Sequence, residues 1–133
     1  MLENEIKALL KDSPYHCNFS DSDIGRLVDA PMRHGKAIVV KDGDRVVGFS
    51  TYAFLHPHQV DGYLNKTRKI KSIDFMRESG ELWFIDFIAP YDNAREVLKE
   101  VKQEFGRRYP DIYSAKMFRR AKGYAARVFR RAQ

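Results

Sequence analysis

The chain has 133 residues, 44% of them hydrophobic and 13% aromatic, which suits one folded domain with its own core. Its single cysteine excludes an internal disulfide framework, and its N-terminus lacks the layout of a signal peptide, so we expect a cytoplasmic protein without a transmembrane segment. The formal net charge of +6 is concentrated in residues 116–133, which carry seven basic residues and no acid and indicate an anionic partner or a solvated basic tail.

The first part of the chain predicts two helices. Residues 3–11 repeat apolar side chains at helical spacing, and a polar loop that contains Pro14 follows them. Ser20 or Asp21 can cap a second helix, which is expected to end between about Pro31 and Gly35.

β-Branched and aromatic runs dominate the middle of the chain. Residues 36–54 predict a hairpin that turns at residues 42–44, because Asp-Gly-Asp is a strong turn signal. Residues 56–72 fit either a helix or a long polar excursion. Residues 81–89 predict a strand that Pro90 stops.

The last part predicts a long helix and two further strands. Residues 92–109 show the strongest helical pattern, and Asp92 or Asn93 can cap it. Its apolar stripe consists of Val97, Leu98, Val101 and Phe105. Residues 111–120 and 124–131 predict the closing strands.

The order of these elements predicts an α+β fold for a single domain over residues 1–133. We expect a central mixed, mostly antiparallel sheet flanked by helices. A hairpin and a third strand followed by a long helix and further strands is the layout of GNAT-like acyltransferase domains, although pattern alone indicates no chemistry.

Histidines and the cysteine give no strong site on their own. His56 and His58 form a His-x-His pair, but no further His or Cys cluster completes a metal site, so we interpret them as surface residues. Cys17 follows His16, but neighbours in an extended loop rarely face each other, which disfavours a Cys–His nucleophile.

Asp86 is the misfit of the predicted strand at residues 81–89. On a regular strand it shares one face with Phe84 and Ile88, and the opposite face is apolar as well. A buried carboxylate needs a partner, because burial without one costs several kcal/mol. It could accept hydrogen bonds from backbone amides, or it could orient and charge a histidine, as in acyl-transfer sites.

Two motifs resemble a known family. The first is Ser-Pro-Tyr-His-Cys-Asn-Phe at residues 13–19, and the second is Trp-Phe-Ile-Asp-Phe-Ile-Ala-Pro-Tyr at residues 83–91. Together with the run of small and aromatic residues at 46–55, they resemble the RTX toxin-activating lysine acyltransferases, also called haemolysin-activating protein-lysine acyltransferases. The chain is shorter than most members, which leaves the protein substrate open.

The resemblance implies a site and partners. The essential histidine and aspartate of the family fall on His16 and Asp86, with Ser13 and Asn18 as supporting residues. It further implies a GNAT-like fold, acylated acyl carrier protein as the acyl donor with no bound cofactor or metal, a protoxin-like protein as the acceptor, no nucleic acid, a cytoplasmic location and a possible homodimer. Whether His16 acts as the base or carries the acyl group itself stays open.

Two alternatives remain. A GNAT acetyltransferase would use coenzyme A, but the glycine-rich turn that holds its diphosphate at a helix N-terminus is replaced here by residues 89–98, which contain no glycine and include Asp92. A basic module could bind nucleic acid through residues 116–133, although no known nucleic-acid-binding motif is present. The same basic residues could instead contact an acidic carrier protein.

Overall fold

A computed structural model describes residues 2–65, 68–119 and 124–130, and from residue 118 onward it describes the backbone alone. Its centre is a five-stranded sheet in which β1 to β5 lie side by side in chain order. The strands are Ala37–Asp42 (β1), Arg45–Leu55 (β2), Glu81–Ile88 (β3), Ser114–Arg119 (β4) and Tyr124–Arg130 (β5). Neighbours run antiparallel except β3 and β4, which are parallel. The α+β class and the mixed, mostly antiparallel sheet are therefore confirmed.

Helices cover both faces of this sheet. They are Leu2–Lys11 (α1), Asp21–Ile24 (α2), Ala30–Arg33 (α3), Pro57–Leu64 (α4) and Ala94–Arg108 (α5). Buried residues of α5 pack on one face beside Tyr52 and Phe84, and those of α1 pack on the other beside Phe49 and Ile88. Of the predicted α5 stripe, Leu98 alone is only half-buried.

The second predicted helix ends at Arg33, within the expected range from Pro31 to Gly35, and Pro31 lies inside it. A π-helical segment, Gly25–Asp29, joins α2 to α3. Within it the Ala30 N–H donates to the Gly25 carbonyl, and the wider turn makes room for Pro31, which has no N–H and would crowd the preceding turn of a regular helix. Ser20 caps α2 as predicted, because its hydroxyl accepts from the Asp23 N–H.

The prediction that the side chain of Asp92 or Asn93 caps α5 is wrong. Asn93 occupies the position before the helix, but its side chain accepts from the Tyr91 N–H and donates to the Val47 carbonyl instead of capping. Asp92 has a φ of 57° and is exposed. The undecided segment at residues 56–72 contains a helix, α4, and its residues 68–71 form neither a helix nor a strand.

A β-bulge in β3 overturns the predicted faces of that strand. Thr51 pairs with Asp86 and Tyr52 pairs with Phe84, so Ile85 is an extra residue opposite β2. An extra residue turns the following side chains to the other face. Phe84 therefore packs against α5, whereas Asp86 lies on the face of α1 to α3, and the two do not share a face as a regular strand predicted.

A polar network ties α5 to the edge of the sheet. Arg108 donates to the Ala37 carbonyl and to the Tyr52 hydroxyl, and it also pairs with Glu104. Arg107 donates to the same carboxylate. Hydrogen bonds from Arg107 and then Arg108 lower the pKa of Glu104 from 4.5 to about 2.

We expect Glu104→Gln to lower the free energy of unfolding modestly and in a pH-dependent way. The folded state binds the proton of Glu104 less readily than the unfolded state, so the stabilisation is full above about pH 4.5 and disappears as the pH falls through about 2. Because the ion pairs of Glu104 with Arg107 and Arg108 are solvent-accessible, the loss in free energy of unfolding should stay below about 1 kcal/mol. Urea unfolding between pH 7 and pH 3 measures it, with Glu100→Gln as the control. A deficit that did not shrink with falling pH would contradict the assignment.

Candidate active site

The end of α1 positions His16. Ser13 N–H donates to the Leu10 carbonyl at 3.0 Å and Cys17 N–H donates to the Ser13 carbonyl at 2.9 Å, which folds the chain into a turn that leads into a short 3₁₀ segment, His16–Asn18. Since α1 is packed on the sheet, this turn is held against β3.

The turn brings His16 into contact with Asp86. The distance between His16 Nε2 and Asp86 Oδ1 is 2.9 Å, and that between Ser13 Oγ and His16 Nδ1 is 2.7 Å. His16 and Asp86, which are 70 positions apart in sequence, thus form one continuous array with Ser13. The predicted contact between the histidine and the aspartate is present.

The array fixes the roles of the two imidazole nitrogens. A carboxylate only accepts hydrogen bonds, so with Asp86 ionised His16 Nε2 carries the proton that it shares with Oδ1. In a neutral imidazole Nδ1 is then an acceptor, and the Ser13 hydroxyl donates to it. The order of groups matches a Ser-His-Asp triad with the two ring nitrogens exchanged.

Comparison with known proteins identifies the family of this chain. The model of the RTX toxin acyltransferase family matches residues 4–129. The chain belongs to this family. A relative, the RTX-II toxin-activating lysine-acyltransferase ApxIIC of Actinobacillus pleuropneumoniae, is 26% identical over 101 residues, which cover 76% of this chain and 62% of the relative. The chain thus matches less than two thirds of that relative's length.

A hydrogen bond outside the array joins the second motif to the residue that precedes the first motif. Tyr91, at the end of the second motif, donates its hydroxyl to Asp12 Oδ2 at 2.6 Å, directly before Ser13. This hydrogen bond raises the pKa of Tyr91. The Arg45 guanidinium lies 4.3 Å from the centre of the Tyr91 ring. In the sheet, Ser50 donates to the main-chain carbonyl of Asp86 at 2.9 Å and so holds the bulged strand.

The array is almost enclosed. The side chain of His16 is 9% exposed and that of Asp86 is 3% exposed. The rings of Tyr15 and Phe19 stand edge-on to the imidazole, with centroid distances of 5.0 and 5.1 Å. Tyr15 is itself exposed, so it covers His16 from the solvent side.

Other predicted residues lie outside the array. Asn18 is at the end of the same turn and is exposed, and the structure does not bring it into the array. The Cys17 thiol lies 3.3 Å from the Pro14 carbonyl, to which it donates, and not on the imidazole. The rings of His56 and His58 stack at 4.0 Å.

Neither a metal site nor a membrane span emerges from the residues that the structure covers. No group of three or more His, Cys, Asp and Glu side chains within them could hold a metal ion. No helix in the same part of the chain is long and apolar enough to cross a bilayer. Of the basic segment at residues 116–133, predicted as a carrier or nucleic-acid contact, the side chains from residue 118 onward lie outside the described residues.

Sequence reasoning missed Thr51, which is the register partner of Asp86 and is fully buried. Alternation along β2 places it on the face of Phe49 and Ala53, which is also the face of Asp86. Among the residues described, its hydroxyl has no hydrogen-bond partner. A threonine inside an apolar strand gives no signal in the sequence, because threonine is common in strands.

We expect Thr51→Val to raise the free energy of unfolding by about 1 kcal/mol, because it removes a buried hydroxyl that gains no hydrogen bond. Denaturant unfolding measures this, and Thr51→Ser, which keeps the hydroxyl, is the control. If Thr51→Val instead destabilises the protein by a similar amount, the hydroxyl has a partner in solution.

Proposed function

We propose that this protein is a lysine acyltransferase that moves a fatty acyl group from acyl carrier protein to lysine side chains of an RTX-protoxin-type protein. The hydrogen bond between His16 and Asp86 carries the proposal, since it joins the two family motifs into a base and its orienting carboxylate. Membership of the RTX toxin acyltransferase family supports the reaction class, and the name of the relative supports lysine as the acceptor.

The acceptor needs a base. A lysine amine has a pKa of about 10.4, so at pH 7 only about 0.04% of it is the free nucleophile, a deficit of roughly 4.6 kcal/mol. A base positioned to receive the proton offsets part of this deficit. Histidine suits this task because its ordinary pKa of about 6.5 leaves it mostly neutral at pH 7.

In this proposal His16 acts as the base through Nδ1, a choice supported by the contact of Nε2 with Asp86. The amine nitrogen attacks the thioester carbonyl, the new C–N bond forms, and Nδ1 takes the proton that the nitrogen loses. The C–S bond then breaks, and the imidazolium returns the proton to the sulfur of the carrier arm. Asp86 stabilises the imidazolium in between.

Ser13 decides the path of the proton. Its hydroxyl occupies Nδ1 at rest, so the amine proton reaches the ring either directly, after Ser13 Oγ moves aside, or through Ser13 Oγ. In the first case we expect Ser13→Ala to retain activity within about tenfold, and in the second to lose about 10²-fold or more. Single-turnover transfer rates distinguish the two, and Ser22→Ala, on the exposed part of α2, is the control.

The start of α5 supports the proposed donor. The residues that lead into this helix include exposed Asp92 and no glycine, which disfavours a coenzyme A diphosphate there and supports a carrier-borne thioester. A GNAT-like, single-domain architecture over residues 1–133, a cytoplasmic location and a homodimer accompany this proposal and remain predictions.

The test is acyl transfer itself. The full chain is incubated with a panel of acylated carrier proteins of different chain lengths and with a candidate protoxin from the same genome, and acylated lysines are identified by mass spectrometry. We expect acyl-lysine from a carrier-borne donor and far less from the matching acyl-coenzyme A. Equal use of coenzyme A thioesters, or no lysine product with any donor, would overturn the proposal.

A further inference from the structure

A second polar site lies at the end of the sheet away from His16. An open cleft of about 560 Å³ is lined by His58, Gln59, Gly62, Arg68 and Lys71. It joins the end of α4 to the loop after it. No acidic residue is among those that line it, although the chain as a whole carries 18 acids.

Every polar side chain that lines the cleft offers hydrogen-bond donors. Gln59 is 8% exposed, and its carboxamide oxygen already accepts from His56 N–H and from the Arg77 guanidinium. The NH₂ group of Gln59 is therefore available to donate to a ligand, as are the cationic groups of Arg68 and Lys71. In the part of the chain that the structure describes, neither of these cations forms an ion pair with an acid. Such a lining fits an anion.

The loop that carries the two cations is held in place. Arg68 N–H donates to the Gly62 carbonyl at 3.1 Å, and Arg26 donates to the Ile70 carbonyl at 2.5 Å. Lys71 N–H donates to buried Asp74 at 2.8 Å. These three hydrogen bonds fix the backbone at residues 68, 70 and 71 before a ligand arrives, which lowers the entropic cost of ordering this backbone on binding.

A hydrogen bond behind the cleft strengthens this frame. The Tyr63 hydroxyl donates to the same Asp74 carboxylate at 2.9 Å. Burial, and then this bond, raise the pKa of Tyr63 to about 12. The Arg68 guanidinium lies 6.0 Å from the centre of the Tyr63 ring, which orients it on α4.

We propose that this cleft binds the phosphate group of a phosphopantetheine arm, an inference that rests on the proposed function. Guanidinium and ammonium groups that converge with amide donors are the usual ligands of a phosphate ester. The cleft follows the end of β2 at Leu55, four residues or about 13 Å along the strand from Thr51, the neighbour of Asp86. The same ester occurs in holo-carrier protein and in coenzyme A.

Binding is measured without catalysis. The full chain is titrated with 4′-phosphopantetheine and with pantetheine, which lacks the phosphate, and amide shifts are followed by nuclear magnetic resonance. We expect the phosphorylated compound to bind roughly tenfold more tightly and to shift Gly62, Arg68 and Lys71. Equal affinities, or shifts confined to other residues, would overturn the proposal.

Variants locate the phosphate. Arg68→Ala and Lys71→Ala should each weaken phosphopantetheine binding about five- to tenfold and leave pantetheine binding unchanged. Lys69→Ala, an exposed cation between them that does not line the cleft, is the matched control and should change affinity less than twofold. If the control weakens binding as much as the two variants, the effect is one of overall charge and the cleft is not the site.

Further arms separate the two sources and the two proposals. The affinity for holo-carrier protein is compared with that for its apo form, which lacks the arm, and with that for coenzyme A. If one of the two phosphate-bearing ligands binds more tightly and Arg68→Ala removes this difference, the result supports the cleft and identifies the source of the phosphate. If the parent protein binds phosphopantetheine at the cleft but transfers no acyl group, the function proposed above fails and the cleft stands. If transfer proceeds and the cleft variants leave the KM for the donor unchanged, the cleft fails and the function stands.

Discussion

Asp86→Asn should lower the rate of acyl transfer by about 10⁴-fold while the protein stays folded. An amide that donates to His16 Nε2 forces the ring proton onto Nδ1, the nitrogen that must accept from the amine. The size of the effect is that of the same substitution in a Ser-His-Asp array, because both exchange the tautomer and preserve the shape. Single-turnover transfer from an acylated carrier protein measures it.

The control for this substitution is Asp44→Asn, which lies in the exposed turn between β1 and β2. It makes the same chemical change and should transfer at the parental rate. Circular dichroism and a thermal melt establish that Asp86→Asn is folded. A folded Asp86→Asn with transfer within tenfold of the parent would remove Asp86 from the mechanism.

His16→Ala should reduce transfer by about 10²- to 10⁴-fold, because it removes the proposed base on which the proton of the acceptor amine ends. It also deletes a charge-assisted hydrogen bond to buried Asp86, so we expect the free energy of unfolding to fall by about 1.5–3 kcal/mol. Rates must be compared at a temperature at which the variant is still folded. Imidazole added to the His16→Ala reaction should restore part of the rate if the lost group is a base.

His34→Ala provides the matched control, since His34 lies in the turn between α3 and β1 and not in the array. Its transfer rate should equal that of the parent. A His16→Ala protein that is folded and transfers the acyl group at a normal rate would refute the role of this residue.

Much of the fold follows from local pattern. The hairpin around residues 42–44 and the helix α5 form as predicted, because turn chemistry and a repeated apolar stripe act over short distances. Residues 56–72 could not be decided, since α4 is short and mostly polar. Side-chain capping of α5 by Asn93 was predicted wrongly, because this side chain accepts from the nearby Tyr91 N–H and donates to the Val47 carbonyl, which is a tertiary contact.

The site was predictable in part. Asp86 stands out because an acid in an apolar strand needs a partner, and the family motif supplied His16 and Ser13. The contact itself spans 70 positions, which no local rule reaches. Ser50 and Thr51 carried no signal, because their importance comes from register with β3. Asn18 was named by the motif but is not part of the array.

The additional residue in β3 has a wider meaning for this protein. Which layer receives the carboxylate is determined by counting positions along the strand and not by the identity of Ile85. Deleting that one position would turn the Asp86 side chain away from His16 and toward the apolar residues that pack against α5. All residues of the proposed site would still be present, but we expect no acyl transfer. Conservative replacements at Ile85 should be harmless by comparison, so the length of this strand is itself part of the chemistry.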